Sequence, residues 1–283
     1  MIRPLRVLAA VDDSICAAPV LRAAGLIGGA LGLPTTALYV SEPDDHAVHV
    51  RASAAEAGMP LRLVDGDPVD RIAEAFARAG TIGVLGARAR QDDPRPAGGV
   101  AASVITAVTT PVVVVGPRTT APRHRVLSRL VVPLDGTTET PDSVAPLVRL
   151  FVGAGLDVVL CHVFDRTTTP SFWDQPQHES RSWAEEFRTR WEGDSGGDSG
   201  AGVRCSSGEA ADEILSAVDA EDGDLLMVAW ARDVSGDRAA VVKALLAESR
   251  VPIVLVPRAQ SSTEQMHHRH GDQHRAAALS SHV

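Results

Sequence analysis

Arg6-Val7-Leu8-Ala9-Ala10-Val11-Asp12-Asp13-Ser14 returns later in the chain as Arg129-Leu130-Val131-Val132-Pro133-Leu134-Asp135-Gly136-Thr137, a short apolar run ending in an acid and a hydroxyl. Each copy closes alike, in Pro111-Val112-Val113-Val114-Val115 and in Pro252-Ile253-Val254-Leu255-Val256. The Asp-to-Pro separation is 99 residues in the first copy and 117 in the second. Between these markers stand Gly66-Asp67-Pro68-Val69-Asp70-Arg71-Ile72 and Gly208-Glu209-Ala210-Ala211-Asp212-Glu213-Ile214. Three markers in one order mean a duplicated domain. One copy is too large for a solenoid repeat, so each half is expected to bury a core of its own.

The markers divide the chain into a first domain at 1–118, a polar linker at 119–126, a second domain at 127–258 and a His-rich tail at 259–283. Within each domain, strand and helix signals alternate. Val7 to Val11 is a continuous apolar run suited to a strand covered on both faces, with Asp13 or Ser14 as cap of the helix that follows. Further strands are expected at Thr35 to Val40, Leu61 to Val64, Ile82 to Leu85 and Val112 to Val115, with helices over Ala52 to Ala57, Val69 to Ala79 and Val100 to Val108. Strict alternation implies a doubly wound parallel sheet with helices on both faces.

Composition narrows the class. With 45% hydrophobic and 22% charged residues, the 283-residue chain has ordinary globular usage. A net charge of −9 argues against nucleic-acid binding, which rests largely on Lys and Arg neutralising phosphates. No apolar run reaches a membrane span, and Asp12-Asp13 interrupts the N-terminus too soon for a signal-peptide core, so a cytoplasmic protein is expected. Cys16, Cys161 and Cys205 are odd in number and lack a CxxC spacing, which predicts reduced, mostly buried thiols.

Val11-Asp12-Asp13-Ser14, Val132-Pro133-Leu134-Asp135-Gly136-Thr137, Gly66-Asp67-Pro68, Leu85-Gly86-Ala87-Arg88 and the closing Pro-Val-Val-Val-Val together resemble the universal stress protein family in its tandem-domain form, over residues 5–117 and 127–257. The resemblance implies two five-stranded parallel sheets in the order 3-2-1-4-5, joined through their fifth strands as an internal pseudo-dimer. It leaves room for further homodimerisation.

Part of that family binds ATP through a loop after strand four, written G-x2-G-x9-G-[S/T], where glycine lets backbone N–H groups and a helix N-terminus approach phosphate. Here the loop starts at Gly86. The second glycine position is Ala89, the third is matched by Gly98 and the hydroxyl position is Gly99. Arg88, Arg90 and Arg95 supply charge that could stand in for the lost contacts. The competing reading is a solvated loop whose binding has decayed. The resemblance gives Asp12 and Val40 the nucleoside; by themselves the same residues read as a helix cap and a core side chain.

In the second domain the loop positions fall at Ala229, Arg232, Ala239 and Ala240, so no nucleotide is expected there. Trp230 stands at the carboxyl end of strand four, where open α/β sheets place their ligands, and is expected to plug that crevice. This domain is 18 residues longer between its markers, and residues 170–192 bring Phe172, Trp173, Trp183, Phe187 and Trp191, the last three spaced as one helical stripe. Such a stripe reads as core, or as a groove for an apolar ligand or partner helix.

Other motifs carry less. Pro133-Leu134-Asp135-Gly136-Thr137 resembles the first motif of haloacid-dehalogenase-type phosphatases, but Pro133 stands where that chemistry needs its nucleophile. Gly25, Gly28, Gly29 and Gly32 fall late in a helix, which reads as close helix–sheet packing instead of a dinucleotide fingerprint. His267, His268, His270 and His274 lie in the polar tail, which reads as disordered and without an organised metal site.

Two functional readings stand from this. One is a non-enzymatic stress-response module binding ATP or another adenine nucleotide weakly in its first domain, with no metal beyond the Mg that accompanies a nucleotide. The other is a nucleotide-independent interaction protein acting through the aromatic region, with a protein partner the sequence leaves unknown. Weak ATP hydrolysis ranks last, because no residue stands out as a general base.

Overall fold

The structure, a computed structural model, describes residues 6–13, 17–41, 47–87, 99–120, 126–137, 139–164, 202–232 and 237–258. Its first half runs β1 (Arg6–Val11), α1 (Ala17–Leu31), β2 (Thr35–Ser41), α2 (Val48–Glu56), β3 (Leu61–Asp65), α3 (Pro68–Phe76), β4 (Thr81–Gly86), α4 (Gly99–Ala107) and β5 (Val112–Val115). The second half runs β6 (Arg129–Pro133), α5 (Glu139–Gly153), β7 (Asp157–Phe164), β8 (Gly202–Ser207), α6 (Ala210–Ala220), β9 (Leu225–Trp230), α7 (Asp237–Glu248) and β10 (Ile253–Pro257).

The strands form one ten-stranded sheet in the order β3-β2-β1-β4-β5-β10-β9-β6-β7-β8. Each half therefore has the expected order 3-2-1-4-5. The halves meet antiparallel through their fifth strands, Val114 opposite Ile253 and Val112 opposite Leu255. Joining there gives both all-apolar strands a hydrogen-bonded neighbour on each side and removes two sheet edges that would otherwise be open to pairing.

The expectation of two separate cores is corrected by this seam. On one face Val113 and Val115 share a cluster with Val254, Val256, Leu225 and Met227; on the other, Val112 and Val114 share one with Ile253 and Leu255. Two apolar layers thus run through both halves. Each strand of the seam is buried on both faces, which is why its sequence is apolar without alternation.

Three local features refine the sequence reading. Gly66-Asp67-Pro68 is a helix start: the Asp67 carboxylate accepts the Asp70 amide at 3.0 Å and Pro68 takes the first helical position, where no N–H partner is needed. That helix ends at Phe76, short of the expected Ala79, because the chain turns into β4 through Gly80 at φ +77°. Gly28 does pack closely on the sheet, since a Cβ there would lie 2.1 Å from Thr35 Oγ1, whereas one on Gly29 would meet nothing within 4 Å.

The second half is knotted at its entrance by Asp224, 5% exposed, whose carboxylate accepts the Ser128 amide at 2.8 Å, the Ser128 hydroxyl at 2.6 Å and the Arg129 amide at 3.1 Å. These bonds fix where β6 begins relative to β9. Thr120 N donates to the Arg250 carbonyl at 3.0 Å, so the start of the linker is already tied to the second half. Among the described residues no helix is long and apolar enough to cross a membrane.

Candidate functional site

In a doubly wound sheet the ligand crevice lies beyond the carboxyl ends of the strands where their order reverses, here between β1 and β4 and again between β6 and β9. Ala10 pairs with Leu85, which sets Asp12, just past the end of β1, beside Gly86, the last residue of β4. Val40, 9% exposed, lies near the end of β2 and pairs with Val64. The fold thus brings Asp12, Val40 and Gly86 to one end of three neighbouring strands. Gly99 opens α4. Arg88 and Gly98 lie outside the described residues, as do Ala89, Arg90 and Arg95.

Beyond Gly86 the chain stays pinned: Ala87 is fully buried and its amide donates to the Val115 carbonyl at 2.8 Å. Of the two residues expected to cap α1, Ser14 lies outside the described residues and Asp13 binds elsewhere. Its carboxylate accepts the Val50 amide at 2.9 Å and contacts His49 Nδ1 at 3.1 Å, so it caps α2, whose own N-cap residue Ala47 has no side chain to do so. Asp13 is thereby tied to the start of α2.

The second crevice is built differently. Asp135, following β6, accepts three bonds on one oxygen, from the Thr137 amide at 3.0 Å, the Thr137 hydroxyl at 2.7 Å and the Thr140 hydroxyl at 2.6 Å. Arg258, one residue past β10, reaches across the end of β9 to the same place. Its Nη2 donates to Glu139 Oε2 at 2.8 Å and to Thr137 Oγ1 at 3.4 Å, and its Nη1 stands 3.8 Å from Asp135 Oδ2. Its backbone amide is held by the Trp230 carbonyl at 2.8 Å. With its side chain only 15% exposed, Arg258 lies beyond the carboxyl ends of β6 and β9. His162 donates through Nδ1 to the Leu134 carbonyl at 2.7 Å and packs edge-on against Phe164, closing the β7 side.

Trp230 is 4% exposed, but it is not the plug that its position suggested. Leu226, Val228 and Trp230 alternate onto the helix face of β9 with α4 and α7, and the indole Nε1 donates to the carbonyl of Ile105 in α4 at 3.4 Å. The side chain belongs to the seam between halves, and Arg258 occupies the crevice. Phe172, Trp173, Trp183, Phe187 and Trp191 lie outside the described residues, as does the His-rich tail.

Sequence reasoning passed over Arg258, Glu139, Thr140 and His162. A signal was present: aligning the closing prolines sets Arg258 against Pro117, and aligning Asp135 with Asp12 sets Thr140 against Ala17. The loop of the second half also keeps a trace of glycine geometry, because Arg232, at a loop glycine position, has φ +60°. Among the described residues no group of three His, Cys, Asp or Glu side chains could hold a metal ion.

Residues 127–257 match the universal stress protein family model. A universal stress protein from Archaeoglobus fulgidus DSM 4304 has a similar structure over 91% of this chain and 98% of its own, with a TM-score of 0.61 and 17% identity. A functionally unknown protein from Pseudomonas aeruginosa PAO1 is similar over 91% of this chain and 93% of its own, with a TM-score of 0.62 and 14% identity. Both similarities span the two halves together. No curated protein gives a significant match to the chain.

Proposed function

We propose that the chain, whose residues 127–257 match the universal stress protein family model and whose first half repeats the same fold, is a cytoplasmic stress-response module of that family binding an adenine nucleotide at the first-half crevice alone. The observation that supports this reading is the asymmetry of the two crevices. In the second half Arg258 lies across the strand ends on Glu139, Thr137 and Asp135. In the first half Pro117 stands at the corresponding position, and proline has no side chain that could reach Asp12.

Asp12 would take the nucleoside hydroxyls, the backbone at Val40 the base, and Gly86, Arg88, Gly98 and Gly99 the phosphates at the start of α4, where amide N–H groups favour an anion. Mg would arrive with the nucleotide. The proposal is for binding without turnover.

Calorimetric titration of the full-length protein with ATP tests it. One equivalent per chain is expected, lost in Gly98→Val because a branched side chain would push backbone N–H groups off the phosphates. Equal heats from wild type and Gly98→Val, or two equivalents per chain, would overturn it.

A further inference from the structure

The second crevice carries chemistry of its own. Its lining presents two carboxylates, Asp135 and Glu139, and two hydroxyls, Thr137 and Thr140, and the group set among them is a planar cation. Phosphate brought there in place of Arg258 would face both carboxylates at close range, which is unfavourable for like charges. A guanidinium fits for the opposite reason, since its fixed fork of N–H donors meets carboxylate and hydroxyl oxygens together.

Three features define the arrangement in this half. Arg258 aligns with Pro117, and the adjacent Arg118 pairs with Glu248 instead, while Thr140 aligns with Ala17, so neither the cation nor this hydroxyl has a counterpart at the first crevice. The Arg258 backbone is fixed by the Trp230 carbonyl at 2.8 Å, which aims the side chain back over β9. Asp135 is itself oriented by three donors on one oxygen, leaving the other turned toward Arg258 Nη1 at 3.8 Å.

We propose that the second crevice is a guanidinium-recognising site occupied by the chain's own Arg258, an intramolecular ligand that gives this half the opposite charge preference from a nucleotide site. It follows that removing the side chain opens a site for a small guanidinium compound and not for ATP. This inference concerns the second half only and does not depend on the first half binding a nucleotide.

Chemical rescue tests it on the full-length protein. Arg258→Ala should unfold at a lower temperature than wild type. Ethylguanidinium at about ten times a millimolar Kd should then raise its Tm by about 3 °C, following the logarithmic dependence of stability on ligand concentration. The wild type should not respond, and ethylammonium, a point charge without the planar fork, should rescue less. Arg258→Ser carries the same readout and guards against an alanine variant that fails to fold. Selective movement of the Thr137 and Thr140 amide resonances in the variant on adding ethylguanidinium would place the ligand. Equal responses of wild type and both variants, or a new equivalent of bound ATP in Arg258→Ala, would overturn the proposal.

Discussion

Trp230 Nε1 donates to the Ile105 carbonyl oxygen at 3.4 Å, joining the end of β9 in the second half to the last turn of α4 in the first. Ile105 is among the last residues of a helix that ends at Ala107, so its carbonyl would otherwise lack a partner within the helix. The same tryptophan holds the Arg258 amide through its own carbonyl. One residue thus links the seam and the second crevice.

Replacing that indole should loosen the whole chain rather than one half. Trp230→Phe keeps most of the apolar volume and loses the hydrogen bond, at a cost of about 1 kcal/mol. Trp230→Ala also leaves a cavity and should cost about 3 kcal/mol or more. Denaturant unfolding of the full chain gives both values, and an alanine variant within about 0.5 kcal/mol of wild type would refute the seam role.

The glycines of α1 make a paired test. Gly28→Ala would press a methyl against Thr35 Oγ1 and the Leu33 carbonyl, 2.1 and 3.1 Å from the ideal Cβ position. Overpacking of this kind should destabilise by about 1–3 kcal/mol. Gly29→Ala meets open space and should stabilise by about 0.5–1 kcal/mol through helix propensity. Thermal melts of opposite sign are expected.

Arg232 adopts φ +60° with a side chain that gains nothing intrinsically from that conformation. Arg232→Gly should therefore stabilise the protein by about 1 kcal/mol. It should leave the ATP stoichiometry unchanged, because Arg258 still occupies the crevice.

Burial pushes the Cys161 thiol up to about 12 from an ordinary value of 9.0, opposed by the nearby Arg204 charge and reinforced by Cys205. The protonated thiol is thus favoured in the folded chain, and its contribution is fully present below pH 9. As pH rises from about 9 toward 12 the unfolded thiol ionises first, so stability is lost across that window. Wild type should lose on the order of 1 kcal/mol per pH unit more than Cys161→Val there. Native Cys161 should also resist alkylation at neutral pH; reaction as fast as in the unfolded chain would contradict the burial.

The sequence alone determined the duplication, the alternation of strand and helix and the both-face burial of the inner strands. These follow from patterns a few residues long, apolar runs, helical spacing and turn residues, which act wherever the chain goes. Even the helix start at Asp67 and the close packing at Gly28 follow from neighbours in sequence. Tertiary structure alone decided what the polar residues at the strand ends would meet. Asp13 caps a helix 37 residues away instead of its own, Trp230 crosses to Ile105, and Arg258 reaches back 119 residues to Glu139. A hydrogen bond has a short reach and a required direction, so its partner is fixed by the path of the whole chain, and no local pattern encodes that path.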